Sequence, residues 1–152
     1  MPTDTNRFQR VGALSNAQAG SDFEEVVQAY FARTGMRLAR DFAVQIGYAR
    51  KKSHRFDLGG DAPRVLVECK SCTWTAGGNT PSAKLRSFNE AMLHFAVAPS
   101  QYRKILMLLK DIRGSESLGS YYVRTQGHLV PDDVEVWELD PMTNTAECLF
   151  RS

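Results

Sequence analysis

The chain has few of the features that mark secreted or membrane proteins. Its 152 residues include three cysteines, and a small odd number argues against a framework of disulfides. No apolar run approaches the roughly 20 residues that a membrane-spanning helix needs, and the N-terminus lacks an apolar signal core. We therefore expect a cytoplasmic protein that does not interact with a membrane.

The net charge is also low, at +2, so it does not by itself indicate a nucleic-acid partner. The distribution of charge is more informative, because basic residues cluster just before Asp57. A solvated charged turn is the ordinary explanation of such a cluster, and a surface that holds a polyanion is the alternative that its position supports. The candidate nucleic-acid-binding residues in this cluster are Arg50, Lys51, Lys52, His54 and Arg55.

Length and composition suit one domain with a substantial core. The chain is 43% hydrophobic and 24% charged, as in ordinary globular proteins. Residues 1–19 are polar and have no clear periodicity, so we expect them to form a flexible arm. The remaining residues, 20–152, are then a single domain.

The most informative stretch covers residues 56–72. Residues 65–67 read Val-Leu-Val, a run that favours a buried strand. Because side chains alternate along a strand, we expect Glu68 and Lys70 to emerge on one face and Cys69 on the other.

Asp57 belongs to a short strand that precedes this run. Residues 59–63, Gly-Gly-Asp-Ala-Pro, suit a turn, so the sequence predicts a hairpin that brings Asp57 beside Glu68. Two carboxylates and the ammonium of Lys70 are costly to bury unless a cation or substrate completes the group. Oxygen ligands favour a hard cation such as Mg²⁺, which can activate water for phosphodiester hydrolysis.

The pattern of Asp57 followed by Glu68, Cys69 and Lys70 after an apolar strand resembles the PD-(D/E)XK nuclease superfamily. Phe56 stands where that superfamily has a proline, which supplies no ligand. The resemblance implies that Asp57, Glu68 and the carbonyl of Cys69 bind Mg²⁺, with Mn²⁺ as a substitute, and that Lys70 is catalytic with Asp57 and Glu68. It implies no small-molecule cofactor.

A further candidate ligand lies on the first predicted helix. Residues 20–22, Gly-Ser-Asp, suit a helix start, and Gly35 suits its end. The helical period turns Glu24 toward the apolar face and Glu25 toward solvent. The opening Gly-Ser-x-x-Glu resembles that of Holliday junction resolvases and implies that Glu24 helps to bind the metal. The alternative is that Glu24 complements the helix dipole.

The flanking elements predict an α/β fold. Their order, αβββαβ followed by a C-terminal β-hairpin, resembles a restriction-endonuclease-like core, in which a central mixed sheet is flanked by helices. The predicted elements are a strand over 41–49 with Phe42, Val44, Ile46 and Tyr48 on one face, a helix over 81–98, a central strand over 105–109, a weaker helix over 115–126, and a hairpin of 134–139 with 145–150.

The loop and helix after the catalytic strand offer further DNA contacts. Trp74 and Asn79 are candidates for reading bases, and Lys84 and Arg86 for holding phosphates. Trp74 has a second interpretation, in which it fills the core. We expect His94 and His128 to be structural.

The leading hypothesis is a metal-dependent DNA endonuclease of the restriction, defence or junction-resolving type. Symmetric DNA would then be cut by a homodimer, since the chain has no separate specificity domain. One alternative is an inactive nucleic-acid-binding or assembly subunit that keeps the nuclease fold. Another is a toxin-like nuclease that acts on RNA, because no residue identifies the sugar.

Overall fold

The computed structural model describes residues 13–152, with side chains from residue 17 onward. None of the helices in this range has the length and apolarity to cross a membrane. The elements in chain order are α1 (Ala13–Arg33), β1 (Ala39–Ile46), β2 (Lys52–Asp61), β3 (Arg64–Lys70), α2 (Ser82–Ala96), β4 (Arg103–Leu109), β5 (Ile112–Arg113), β6 (Glu116–Ser117), α3 (Leu118–Gln126), β7 (Val134–Asp140) and β8 (Thr145–Phe150).

Six of the strands form one mixed sheet in the order β1-β2-β3-β4-β7-β8. The pairs β3–β4 and β4–β7 are parallel, and the other three pairs are antiparallel. Strand β4 lies between two parallel neighbours, which explains why its apolar residues run without alternation. The structure confirms a mixed sheet flanked by helices, the order αβββαβ and the C-terminal hairpin.

Helices cover both faces of this sheet. On one face α1 packs Phe23 and Val27 against Val67 of β3. On the other face α2 and α3 pack on a second layer, which includes Phe88, Tyr122 and Leu66. The alternation of β3 therefore turns Cys69 toward α1, and Glu68 and Lys70 toward α2.

Helix α1 begins earlier than the sequence predicted. It starts at Ala13, so residues 20–22 lie inside the helix and do not cap it. Residues 13–19, predicted as part of the flexible arm, are helical, and residues 1–12 lie outside the described range. Residues 13–19 contain no Gly or Pro, and Ala19 is only 1% exposed, so packing stabilises the extra turns.

The predicted turn at residues 59–63 is also misplaced. Gly59 pairs with Leu66, so β2 continues to Asp61 and the turn is shorter. A Cβ on Gly59 would lie 2.5 Å from the Phe42 ring, which explains why glycine occupies this strand position. Gly59 therefore allows Phe42 to cover the strand.

Two other boundaries differ from the predictions. Strand β1 ends at Ile46, and Tyr48 lies beyond it with 78% of its surface exposed, so Tyr48 does not share the face of Phe42. The short hairpin β5–β6 replaces the start of the weak helix predicted over 115–126. Each of its strands has two residues, which is too short to show the side-chain alternation of a strand in the sequence.

Candidate functional site

The candidate site lies where the side chains of strand β2 stop alternating between the two faces of the sheet. Phe56 packs in the α2 layer, but Leu58, two residues later, packs in the α1 layer. In the β1–β2 register Asp41 lies opposite Asp57, and Asp41 has a left-handed φ of 52°. The β2–β3 pairs extend only to Leu58. Strand β2 therefore turns away from β3 at Asp57 and leaves a gap between the two strands.

The side chain of Asp57 fills this gap. Its Oδ2 accepts a hydrogen bond of 2.8 Å from the backbone N–H of Cys69, which has no strand partner on that side. The N–H and C=O of one strand residue point to the same neighbour, so the Cys69 carbonyl faces the gap as well. The Cys69 thiol is buried in the α1 layer, which leaves the carbonyl as the group that it offers to the site.

Three carboxyl groups meet around this gap. The Asp57 carboxyl lies close enough to those of Glu68 and Glu24 for the groups to shift one another's pKa. Burial and the negative charge of Glu68 raise the pKa of Asp57 to about 6, although the Cys69 N–H acts against the shift. Burial also raises the pKa of Glu68 and of Glu24. All three carboxyl groups are thus harder to ionise than they would be in water.

An all-oxygen set of this kind fits a hard divalent cation. Glu24, Asp57 and Glu68 supply carboxylate oxygens from α1, β2 and β3, and the Cys69 carbonyl faces the same gap. Mg²⁺ and Mn²⁺ prefer such oxygens. The four predicted metal ligands therefore lie together, although their role as ligands stays a prediction.

Glu24 has a second partner that the sequence did not reveal. Arg40 at the start of β1 donates from Nη2 to Glu24 Oε2 at 2.6 Å, and the same atom is 3.3 Å from the Ser21 hydroxyl. Both charged side chains are partly exposed, at 37% for Arg40 and 23% for Glu24, so solvent weakens the pair. Glu25, next along the helix, is exposed as predicted.

Lys70 lies at the end of β3, on the same face as Glu68 and only partly exposed. Its positive charge opposes the rise in the pKa of Glu68, which shows that the ammonium lies near this carboxylate. The predicted catalytic set of Asp57, Glu68 and Lys70 is therefore assembled at one place.

Two histidines lie on the α2 side of the site, and their predicted roles stay predictions. His54, predicted to contact a nucleic acid, turns inward, and its Nε2 lies 3.0 Å from Glu68 Oε1. His94, predicted to be structural, stacks beside it with 4.1 Å between ring centroids. Burial lowers the pKa of both imidazoles. Only the tertiary packing of α2 on β2 brings these two residues together.

The other members of the basic cluster lie on the surface near this site. Arg50 and Lys51 belong to the β1–β2 turn, and Lys52 and Arg55 lie on β2 with exposed side chains. Because β2 runs antiparallel to β3, the turn is at the end of the sheet where β3 delivers Lys70. These four residues remain candidates for binding a polyanion.

Part of the loop after β3 is held in place by contacts with the rest of the protein. The backbone N–H of Trp74 donates to Asp111 Oδ2 at 2.7 Å, and the indole N–H donates to the Asp111 carbonyl at 3.0 Å. The Trp74 ring also packs on Tyr121 at 5.1 Å, which supports the core interpretation over base reading. Lys84 donates to the Thr73 carbonyl and so holds the loop.

Asn79 and Arg86 remain exposed, at the end of the same loop and on the first turns of α2. His128, which was also predicted to be structural, is exposed in the turn after α3.

Neither a family model, a curated protein nor a solved structure matches this chain. The assignment of a function therefore depends on the residues and geometry described above.

Proposed function

We propose that the protein is a metal-dependent DNA endonuclease with a restriction-endonuclease-like core. The observation that supports the proposal most directly is the meeting of Glu24, Asp57 and Glu68 at the gap between β2 and β3, with Lys70 beside them. Three carboxyl groups that lie close together with raised pKa values favour a bound cation, although Arg40 pairs with Glu24 and Lys70 lies near Glu68.

Each residue of the site would have its own role. Glu24, Asp57, Glu68 and the Cys69 carbonyl would hold Mg²⁺, which supplies Lewis acidity toward a phosphate oxygen and an acidified water. The Cys69 N–H fixes the Asp57 carboxylate, so this ligand needs no reorganisation when the metal binds. Lys70 orients the attacking water or stabilises the negative charge that develops on the phosphate.

The basic turn, formed by Arg50, Lys51 and Lys52, supports a polyanionic substrate. Its exposed charges lie at the end of the sheet where β3 ends, so they would hold the DNA backbone near Lys70. A long duplex with symmetric sites would engage two copies of the chain, and we propose a homodimer on DNA. A species that sediments as a monomer both with and without DNA would rule out that dimer.

The experiment that tests the function is cleavage of a supercoiled plasmid and of a four-way junction in the presence of Mg²⁺. We expect the wild type to cut at least one of them and Lys70→Ala and Asp57→Asn to lose activity by about 1,000-fold, as when charge stabilisation is removed elsewhere. Lys110→Ala is the matched control, because Lys110 follows β4 as Lys70 ends β3. Its activity should equal that of the wild type.

The substrate preference then separates the two branches. A preference for the junction favours a resolvase, and cleavage of plain duplex favours a restriction or defence nuclease. A wild type that binds DNA with Mg²⁺ but cuts neither substrate, nor RNA, contradicts the proposal and favours the binding or assembly subunit.

A further inference from the structure

A second cluster of ligand atoms lies on the α2 side of Glu68, outside the all-oxygen set. His54, Glu68 and His94 each present one ligand atom, and these atoms all lie within 4.8 Å of one another. One of the separations, from His54 Nε2 to Glu68 Oε1, is 3.0 Å. A tetrahedral zinc ion with bonds of about 2.0–2.1 Å needs ligand atoms about 3.3 Å apart. The spacing of the cluster therefore fits such an ion after small side-chain rotations.

The two imidazoles are held by the packing around them. His54 lies edge-on to Phe56 at 4.6 Å, and Phe56 stacks on Phe95 at 5.5 Å. His94, which precedes Phe95 on α2, contacts the His54 ring with 4.1 Å between centroids, so the two histidines support each other. This apolar support makes the cluster a preorganised site and not a chance meeting of mobile side chains.

The charges around the cluster also suit a cation. Glu68 is buried and Glu90, one helical turn before His94, acts electrostatically on both imidazoles. The positive charge of Lys70 acts on both imidazoles. Lys52 acts more weakly, and on His54. Glu90 can also accept the second N–H of an imidazole, as carboxylates commonly do around zinc ligands.

We propose that His54, His94 and Glu68 bind a transition-metal ion of the zinc class, next to the hard-cation site and sharing Glu68 with it. Imidazole nitrogens select Zn²⁺, Co²⁺ or Ni²⁺ over Mg²⁺, and two histidines with one glutamate leave a coordination position open to water or substrate. The site would thus place a second, chemically different ion beside the carboxylate group. Its occupancy does not depend on whether the protein cuts DNA.

The test is metal binding by the purified full chain, freed of metal with a chelator and then titrated with Zn²⁺ against a chromogenic competitor. Co²⁺ absorption provides a second readout of nitrogen ligation. We expect one Zn²⁺ per chain, and we expect His94→Ala and His54→Ala to weaken binding by at least about 100-fold, since even loss of an outer-shell partner costs about 10- to 100-fold. His94→Gln provides a second variant if the alanine form is unstable.

Two controls make the result specific. His128→Ala removes an exposed histidine of the turn after α3 and should bind Zn²⁺ as the wild type does. Asp57→Asn removes the hard-cation site but should retain Zn²⁺ binding. Unfolding of each metal-free variant, followed by circular dichroism, identifies any that fails to fold.

Equal Zn²⁺ affinity in the wild type and the folded histidine variants overturns the proposal, as does a wild type that binds no Zn²⁺. Loss of Zn²⁺ in Asp57→Asn with retention in His94→Ala also overturns it, because the ion then lies among the carboxylates. Zn²⁺ binding that requires the histidines, in a protein that cleaves no nucleic acid, supports this site and contradicts only the nuclease function.

Discussion

Asp57 on β2 and Glu135 on β7 are acidic side chains of the same sheet with opposite surroundings. Glu135 is 8% exposed, and its carboxylate accepts hydrogen bonds from Arg103 at 2.6 Å and from Arg151 at 3.0 Å. Burial acts to raise its pKa, but these bonds and one from Trp137 outweigh that effect and lower the pKa to about 2. Asp57 forms no ion pair within residues 17–152, and its pKa is raised to about 6.

The difference separates a carboxylate whose positive partners lie within the protein from one that has none among the described residues. At Glu135 the protein supplies the positive charge itself, so the group is complete and links β7 to Arg103 of β4 and to Arg151 after β8. At Asp57 the nearest charged groups are further carboxyls, so burial has a net cost that a bound cation would remove. Substitutions at these two carboxylates, changes of pH and addition of Mg²⁺ each test this contrast.

The largest expected effect is an opposite change in stability at pH 7 without metal. Asp57→Asn keeps an acceptor for the Cys69 N–H and removes a charge, so we expect it to raise the free energy of unfolding by about 2 kcal/mol. Glu135→Gln leaves two arginines without their partner and should lower it by about 2 kcal/mol, a value reduced by the exposure of both arginines.

Urea unfolding of the two variants and the wild type, followed by tryptophan fluorescence, measures both changes. Asp132→Asn, at an exposed residue of the turn before β7, serves as a control that should leave the stability unchanged. If both variants are destabilised, the buried charge of Asp57 does not lower the stability of the fold. The proposed difference between Asp57 and Glu135 is then wrong.

The second prediction concerns pH. A carboxyl with a raised folded-state pKa contributes stability below its unfolded pKa and loses that contribution as pH rises through the folded pKa. For Asp57 this window extends from about 4, the ordinary value, to about 6. The stability gained by Asp57→Asn should therefore shrink from about 2 kcal/mol at pH 7 to near zero at about pH 4.

This pH effect must be measured as a difference between variant and wild type. The lowered pKa values of His54 and His94 act in the opposite direction, since neutral buried imidazoles destabilise the fold when acid protonates them. The contribution of Glu135 is lost as pH falls from about 4.5, its ordinary pKa, to about 2, so it enters only at the acid end of this range. A gain that stays constant from pH 7 to pH 4 would contradict the raised pKa of Asp57.

The smallest expected effect is stabilisation by Mg²⁺. At a free concentration about ten times Kd, a ligand that binds only the folded state adds about 1.4 kcal/mol. We expect this gain in the wild type and in Glu135→Gln, but not in Asp57→Asn, and we expect it to fade as pH falls below about 6, where protons compete. Thermal unfolding with and without Mg²⁺ measures it, and an equal gain in Asp57→Asn would place the ion elsewhere.

Much of the fold follows from short-range patterns in the sequence. The apolar run of β4 and the alternation of β3 come directly from side-chain periodicity, and strand β8 has the predicted bounds, 145–150. The same alternation turns Glu68 and Lys70 toward one face. These features were predictable because each depends on residues that are close together in the chain.

The remaining features depend on contacts between distant segments. Asp41, which lies opposite Asp57 in the β1–β2 register, has a left-handed φ that the sequence did not predict. His94 reaches Glu68 only because Phe95 packs on Phe56. Helix α1 extends to Ala13, and Ala19 in this extension is buried. Burial is a tertiary effect, so local helix propensity favoured the capping residues at 20–22 as the start of the helix.

The bond between the Cys69 amide and Asp57 also has a spectroscopic consequence. An amide proton in the middle of a sheet normally exchanges with solvent slowly, because a carbonyl of the next strand holds it. This proton is held instead by a side chain whose charge changes near pH 6. The chemical shift and exchange rate of one backbone amide would therefore report the ionisation of the site, without any label at the site itself.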